Sequence, residues 1–179
     1  MIILQIEKKS LPFYKFGDAI YLKKIETSYW IEYICSRFKA TGKEISSALA
    51  NMICQKVDNH SSYVQQLAWL VWIHTDGMAT EESFDAACED IIDQNTPLFE
   101  KQTENLTTYQ MNFLKAVLDG VHSEFTRQEV IQKYQLGTSA NVSIIKRALI
   151  KKELIEIEKR QVVISDPVMS VWLKKELGR

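Results

Sequence analysis

Apolar residues recur every three to four positions along most of the chain, which is the spacing of one face of an α-helix. Before residue 105 this pattern predicts four helices, the third of them apolar on nearly every side and therefore the buried centre of a bundle. We expect Pro97 to interrupt or kink the fourth helix, because proline cannot donate the helical hydrogen bond. Each predicted helix begins at a residue that can cap it. These starts are Thr27 or Ser28, Ser46, Ser61 and Thr80.

The pattern after residue 105 changes from helices to a mixture of helices and strands. Three short helices are predicted first, the second of them opened by a capping box between Thr126 and Glu129. Two apolar runs at 154–158 and 161–165 then have the alternation of strands, around a tight turn at Lys159 and Arg160. A last helix begins at Pro167, where the missing N–H is tolerated. The order of three helices, two strands and a helix is that of a winged helix.

The predicted fold class is therefore mainly α, with a helical bundle followed by a winged-helix (helix-turn-helix) domain that carries a small β-hairpin wing. We divide the chain into a connector at residues 1–26, a helical bundle at 27–105 and the winged helix at 106–179. The connector contains three aromatic residues, Phe13, Tyr14 and Phe16, and a segment this short cannot bury them by itself. We expect it to pack on a domain beyond this chain.

Charge separates the two halves of a chain whose formal net charge is only −1. Residues 1–102 hold 10 Lys and Arg against 14 Asp and Glu, whereas residues 103–179 hold 12 against 9, a net charge of +3. Such an asymmetry permits a nucleic-acid partner for the second half without requiring one. The acidic run of the fourth helix is interleaved with apolar residues at helical spacing, so we interpret it as a solvated face.

Neither the cysteines nor the histidines indicate catalytic or metal chemistry. The three cysteines form no C-x-x-C pair, and the three histidines lack a neighbour at ligand spacing, so we predict reduced core cysteines and no metal site. Ser61 and Ser62 beside His60 have no orienting third group, so no catalytic residue is predicted. Without a signal peptide or a run of about 20 apolar residues, we expect a cytoplasmic protein that has no membrane contact.

The candidate nucleic-acid site is the third helix of the winged helix together with the wing tip. Hydroxyl, amide and cationic side chains suit phosphate oxygens and base edges, and the first half of such a helix can enter the major groove. A winged helix used for protein contact is the main alternative, since glutamates dilute the charge of the wing. The candidate residues are Thr138, Ser139, Asn141, Ser143, Lys146, Arg147, Lys159 and Arg160.

With these elements in order, the chain resembles the C-terminal region of prokaryotic ATPases of the archaeal-ATPase type, within the AAA+ and STAND group of P-loop proteins. In that group an ATPase core is followed by a helical lid and a winged helix, and the resemblance covers essentially all 179 residues. The matching segments are 13–17 and 21–25 (core exit), 63–68 (a lid helix), 93–99 and 108–114 (lid-to-winged-helix connection), and 138–142 with 149–155 (recognition helix into wing).

The resemblance implies that the core, with ATP and Mg²⁺, belongs to a part of the parent protein that this chain lacks. The sequence has no G-x-x-x-x-G-K-[S/T] motif, and without that phosphate cradle the chain is expected to bind no cofactor and to be no enzyme by itself. In the family a Gly-Gly-x-Pro-like turn precedes the lid helix. Here residues 58–62 replace it, which leaves Asn59, His60 and Ser61 as a weak candidate for nucleotide contact.

We therefore predict a non-catalytic C-terminal fragment of an ATP-binding protein, whose lid and winged helix form a regulatory and DNA-binding module. Its expected partners are the ATPase core of the parent and double-stranded DNA. Two alternatives stay open: a protein-interaction platform that relays nucleotide state to a protein partner, and a stand-alone winged-helix transcriptional regulator. The last needs a dimerisation helix that the sequence does not reveal.

Overall fold

The computed structural model describes residues 24–178, which form eight helices and one two-stranded antiparallel sheet. The mainly helical winged-helix fold class predicted from the sequence is confirmed. The elements are α1 (Thr27–Ala40), α2 (Ser47–Lys56), α3 (Ser61–Ile73), α4 (Glu81–Thr103), α5 (Thr108–Leu118), α6 (Gln128–Tyr134), α7 (Ser139–Lys151), β1 (Ile155–Glu158), β2 (Gln161–Ile164) and α8 (Pro167–Glu176).

Helices α1 to α4 form a bundle in which α3 contacts each of the other three helices. Val64, Leu67 and Val71 lie fully buried on its inner face. Helix α3 thus lies at the centre of the bundle as predicted, but it is not buried on every side, because Trp69 is 54% exposed and Ile73 is exposed as well. The neighbouring helices cover only part of the circumference of α3, so apolar composition alone does not bury its outer face.

Helix α4 continues through Pro97 to Thr103, so the predicted interruption at this proline is wrong. The two residues just before Pro97 form side-chain hydrogen bonds to the helix backbone: Asn95 donates to the carbonyl of Ile91, and Thr96 donates to that of Ile92. Beyond the proline, Phe99 is fully buried and its ring lies 5.6 Å from the ring of Trp172 in α8. Tertiary packing on α8 therefore anchors the last turns, which a proline alone would weaken.

The winged helix is built by α5 to α8 around the hairpin β1–β2. In the hairpin Ile155 is opposite Ile164 and Glu158 is opposite Gln161, so Lys159 and Arg160 form a two-residue turn, as predicted. The rings of Phe113 in α5 and Phe125 before α6 stack with centroids 4.3 Å apart at the base of the domain.

Of the four helix starts predicted before residue 105, those of α2 and α4 have the expected side-chain cap. Those of α1 and α3 do not, because Glu26 and His60 stand at the N-cap positions. The side chains of Ser46, Thr80 and Thr107 each accept a backbone N–H at the first turn of α2, α4 and α5. Helix α1, by contrast, begins after Glu26 without a side-chain cap, and the hydroxyl of Thr27 contacts Asn59 instead.

The predicted capping box of Thr126 and Glu129 is also wrong. Helix α6 begins one residue later than that box requires, with Arg127 at the N-cap position and no side-chain cap. Glu124 adopts a left-handed conformation (φ 54°), and its carboxylate lies 2.5 Å from the guanidinium of Arg127. Because of this local turn, Thr126 lies one residue before the N-cap position, and its side chain does not cap α6.

The bundle and the winged helix share one continuous hydrophobic core. At their junction the hydroxyl of Tyr63 in α3 donates to a carboxylate oxygen of Asp166, 2.6 Å away, and Lys175 of α8 pairs with Glu89 of α4. The other oxygen of Asp166 caps α8 by accepting from Val168 and Met169. The predicted limits at 27–105 and 106–179 stay a prediction; the connector predicted at 1–26 lies outside the described residues except for 24–26.

Replacing Tyr63 with phenylalanine tests the junction. Burial and the Asp166 carboxylate raise the pKa of Tyr63 above its ordinary value of 10.0. Because the folded pKa is the higher one, the stabilisation is fully present below pH 10 and is lost as the pH rises through the folded pKa. In urea unfolding, Tyr63→Phe should lose about 1.5–3 kcal/mol at pH 8. Above pH 10 the gap to wild type should shrink by up to about 1.4 kcal/mol per pH unit.

A gap that stays constant from pH 8 to pH 11 would show that the Tyr63 hydroxyl makes no such bond. Tyr109→Phe is the matched control, because this exposed tyrosine has no hydrogen bond across the junction.

The anchoring role of Phe99 predicts a large effect of its truncation. Phe99→Ala removes a fully buried ring and should lower the free energy of unfolding by about 3–5 kcal/mol. The neighbouring Leu98→Ala, at an exposed position of the same helix turn, should change it by less than about 0.5 kcal/mol. Denaturant unfolding followed by circular dichroism measures both. Equal effects of the two substitutions would contradict the packing of Phe99 on α8.

Candidate nucleic-acid interface

The helix-turn-helix consists of α6, a turn at residues 135–138 and α7. Gln135 and Gly137 have left-handed backbone conformations (φ 52° and 84°). A Cβ atom on Gly137 would lie 2.8 Å from Nδ2 of Asn141 and 3.5 Å from the ring of Tyr109. The left-handed backbone favours glycine at this position, and a side chain there would also displace the Asn141 amide.

Two of the predicted contact residues support the start of α7 itself. The hydroxyl of Thr138 accepts from the backbone N–H of Asn141, and Nδ2 of Asn141 donates to the carbonyl of Leu136 at 3.1 Å. Asn141 is half-buried, so the prediction that it projects outward is wrong. Its amide closes the turn that Gly137 permits.

Three other predicted residues lie on the exposed face of α7. Ser139, Ser143 and Arg147 are exposed, and the Arg147 guanidinium lies along the helix with Nε 3.5 Å from the carbonyl of Ser143. Lys146 is half-buried beside this face. Between these polar side chains Ile144 is 58% exposed, an apolar residue in the middle of the surface that a major groove would meet.

Lys159 and Arg160 form the tip of the wing and are exposed. Both have left-handed backbones, with φ of 47° and 71°, as a type I′ hairpin turn demands. Such conformations favour Asn and Gly, so this pair is strained. The strand leading to the tip carries Glu156 and Glu158, and Nζ of Lys24 lies 3.8 Å from the Glu158 carboxylate.

The weak nucleotide-contact candidate lies in the turn between α2 and α3, far in sequence from the wing. Asp58 and Asn59 adopt left-handed conformations (φ 49° and 53°), which these residue types tolerate better than most. The Asn59 side chain bonds to Thr27, and the His60 ring lies 4.9 Å from the ring of Tyr63. The structure therefore brings Asn59, His60 and Ser61 together at one turn.

Sequence reasoning missed an uncharged polar groove of about 580 Å³ beside the turn that starts α7. It lies between the first turn of α5 and one face of α6. The signal was present, because three glutamines at positions i, i+4 and i+7 put their amides on one face of a helix. The polar side chains that line it include Tyr109, Asn112, Gln128, Gln132 and Gln135.

Within residues 24–178, no three His, Cys, Asp or Glu side chains lie close enough together to hold a metal ion. No helix in this described part is both long and apolar enough to cross a membrane.

Comparison with a family model identifies the second half of the chain. The model of a probable winged helix domain matches residues 97–175. Residues 97–175 are similar to that family and have the winged-helix fold. The match begins within α4, nine residues before the predicted limit at residue 106, as expected if the last turns of α4 pack on α8.

Comparison with solved structures extends the likeness to nearly the whole chain. The Walker-type ATPase of Pyrococcus abyssi superposes with a TM-score of 0.70 over 96% of this chain and 48% of its own, at 17% sequence identity. The chain thus spans about half the length of that ATPase, and the likeness shows a common fold. No curated protein matches the sequence. Together the two matches confirm, at the level of the fold, the resemblance to the C-terminal region of an archaeal-type ATPase.

The strained wing tip of the winged helix domain predicts opposite effects on stability and binding. The double variant Lys159→Asn with Arg160→Gly supplies the residues that a type I′ turn favours, and should raise the free energy of unfolding by about 1–2 kcal/mol. It should also weaken any binding of duplex DNA, because two cations are lost. Thermal unfolding and fluorescence anisotropy measure the two effects. A double variant less stable than wild type would contradict the assigned turn.

Proposed function

We propose that this chain is the lid and winged-helix part of an ATP-binding protein of the AAA+ and STAND group, and that it contacts double-stranded DNA through α7 and the wing. The observation that carries the proposal is the fold shared with 48% of a Walker-type ATPase, together with the winged-helix match at residues 97–175 of this chain. The bundle α1–α4 would be the lid.

Charge supports the DNA contact. The outer face and end of α7 carry Lys146, Arg147 and Lys151, and the wing tip adds Lys159 and Arg160. Cations of this kind neutralise phosphates, whereas Ser139 and Ser143 can donate uncharged hydrogen bonds to the backbone. The chain's near-neutral net charge predicts that such binding is weak and depends on salt.

The ATPase core of the parent is the proposed second partner, and nucleotide and Mg²⁺ would bind there. Since this chain has no P-loop motif, we propose that it is not itself an enzyme. Its role would be regulatory: the junction of α3 and α4 with α8 would link the position of the lid to that of the winged helix. The expected cytoplasmic location is part of the same proposal.

A second function is favoured by one specific observation. Ile144 is exposed in the middle of the α7 face, and Ile150 is exposed further along the same helix. Apolar residues at such positions suit a protein surface better than a phosphate backbone. If DNA does not bind, a protein-interaction platform that relays nucleotide state is the function we propose instead.

Duplex binding at several salt concentrations tests the proposal. Two or three neutralised phosphates give a slope of log affinity against log salt of roughly −2 to −3. Arg147→Ala should weaken binding and reduce the slope by about 0.9. Lys146→Ala should do the same. Lys101→Ala, an exposed cation at the end of α4, is the control and should change neither.

Fluorescence anisotropy with a mixed-sequence duplex gives the affinities. Absence of wild-type binding at low salt, or equal slopes for wild type and both α7 variants, would refute the DNA contact. Each variant must keep the wild-type unfolding midpoint, so that a loss of affinity is not a loss of fold.

A further inference from the structure

A groove of about 390 Å³ lies where the bundle meets the winged helix, and we refer to it as the junction groove. Lys56 and Asp58, at and just after the end of α2, come from the bundle. The rest of its described lining comes from α5, the loop after α5, β2 and the outer side of α8. Small-molecule sites commonly have volumes of about 300–1,000 Å³ and often lie between structural units.

One side of α8 forms a wall of the junction groove. Four of its residues lie at positions i, i+3, i+4 and i+7, which is the spacing of one face of a helix. They are Pro167, Ser170, Val171 and Lys174. Asp166 determines where this wall begins, because its carboxylate caps α8 and also accepts a hydrogen bond from the bundle. The wall is therefore held in position relative to the bundle.

His122 is attached to β2 by two hydrogen bonds to one residue. Its carbonyl accepts from the N–H of Val162 at 2.8 Å, and its Nδ1 lies 3.0 Å from the carbonyl oxygen of Val162. Because a carbonyl oxygen can only accept, Nδ1 is the donor. Nε2 of this half-buried ring has no partner within residues 24–178, and the same is true of Oγ of the half-buried Ser170. Both groups line the junction groove and can hydrogen-bond to a bound molecule.

The charges that line the junction groove do not balance. Asp58 is the one carboxylate in its described lining, and Nζ of Lys24 lies 2.6 Å from an oxygen of that carboxylate. Lys56 and Lys174, by contrast, form no salt bridge with any residue of 24–178. Two unpaired positive charges, one from each half of the chain, therefore line a groove whose negative charge already has a partner.

The uncharged part of the lining is mostly apolar. Leu118 at the end of α5, Val163 and Ile164 in β2, and Val171 in α8 are all half-buried. These side chains pack on the core with one side and leave the other side accessible from the groove. A ligand that covers them removes apolar surface from water, which favours binding.

We propose that the junction groove binds a small organic acid, with its carboxylate held by Lys56 and Lys174 and its apolar body packed on α5, β2 and α8. Charge complementarity identifies the head group, because a carboxylate supplies the negative charge that both lysines lack. The half-buried aliphatic side chains identify the body. Since the two lysines belong to different halves of the chain, a bound acid links the bundle to the winged helix.

The lining also distinguishes a carboxylate from a phosphate head. Its described residues include neither an arginine nor a glycine. Guanidinium forks and glycine-rich turns with several backbone N–H groups are common devices for binding phosphate oxygens. Two lysine ammonium groups and one serine hydroxyl suit the smaller charge of a carboxylate.

Phenylbutyrate and phenylbutanol are matched probes, because they share a carbon skeleton and differ in charge. In amide NMR spectra of the full chain, increasing phenylbutyrate should shift the signals of Leu118, His122 and Val171 until they saturate. Phenylbutyrate should bind at least about tenfold more tightly than phenylbutanol, because hydrogen bonds to a charged group are roughly twice as strong as neutral ones.

Methionine substitutions test the two lysines, since methionine keeps most of the aliphatic stem. Lys56→Met and Lys174→Met should each weaken the binding of phenylbutyrate roughly three- to tenfold and leave the binding of phenylbutanol unchanged. Lys101→Met, at an exposed position of α4 outside the groove, is the control and should change neither affinity. All three variants should keep the wild-type unfolding midpoint, because these side chains are exposed.

Four outcomes would overturn the proposal. Equal affinities for the two probes would show that the groove offers only an apolar surface. An affinity for phenylbutyrate that neither lysine variant lowers would assign the anion to other cations. A loss in one variant alone would remove the link between the two halves. Shifts that do not saturate, or that lie outside the junction groove, would show that no site exists there. The candidate DNA contacts on α7 and the wing tip take no part in these measurements, so the two proposals can fail separately.

Discussion

One carboxylate connects the two parts of this chain. Asp166 uses one oxygen to cap α8 and the other to accept the hydroxyl of Tyr63 from the bundle. The cap sets where α8 begins, and the orientation of α8 determines how Trp172 meets Phe99 of α4. The position of the winged helix against the bundle therefore depends on this contact and on the apolar packing that follows from it.

Much of the fold follows from local sequence signals. The spacing of Trp30, Ile34 and Phe38 defines the buried face of α1, and hydroxyl caps at Ser46 and Thr80 mark two helix starts. The wing follows from two apolar runs separated by two residues. These features were predictable because each depends on neighbours within one or two helical turns.

The features that could not be predicted depend on contacts between distant residues. Local sequence predicts that a helix ends at a proline. Pro97 nevertheless lies within α4, because Phe99 packs on Trp172, which is 73 positions further along the chain. Trp69 is exposed because the neighbouring helices do not cover the outer face of α3. The apolar periodicity of one helix does not show how much of that helix its neighbours cover. At the candidate site, Arg147 was placed correctly by helical spacing. Asn141 was not, because its amide closes a turn that exists only when Gly137 is left-handed.

The sharing of α4 has a consequence for how such chains can be rearranged during evolution. One continuous helix contributes its first turns to the bundle and its last turns to the winged helix domain. A recombination event at the apparent limit after Thr103 would give two products, each with an apolar face exposed where its former neighbour lay. The winged helix domain can thus be inherited with the end of α4 or with the whole bundle. The segment that recombination can exchange is therefore longer than the segment α5–α8 that the order of elements suggests.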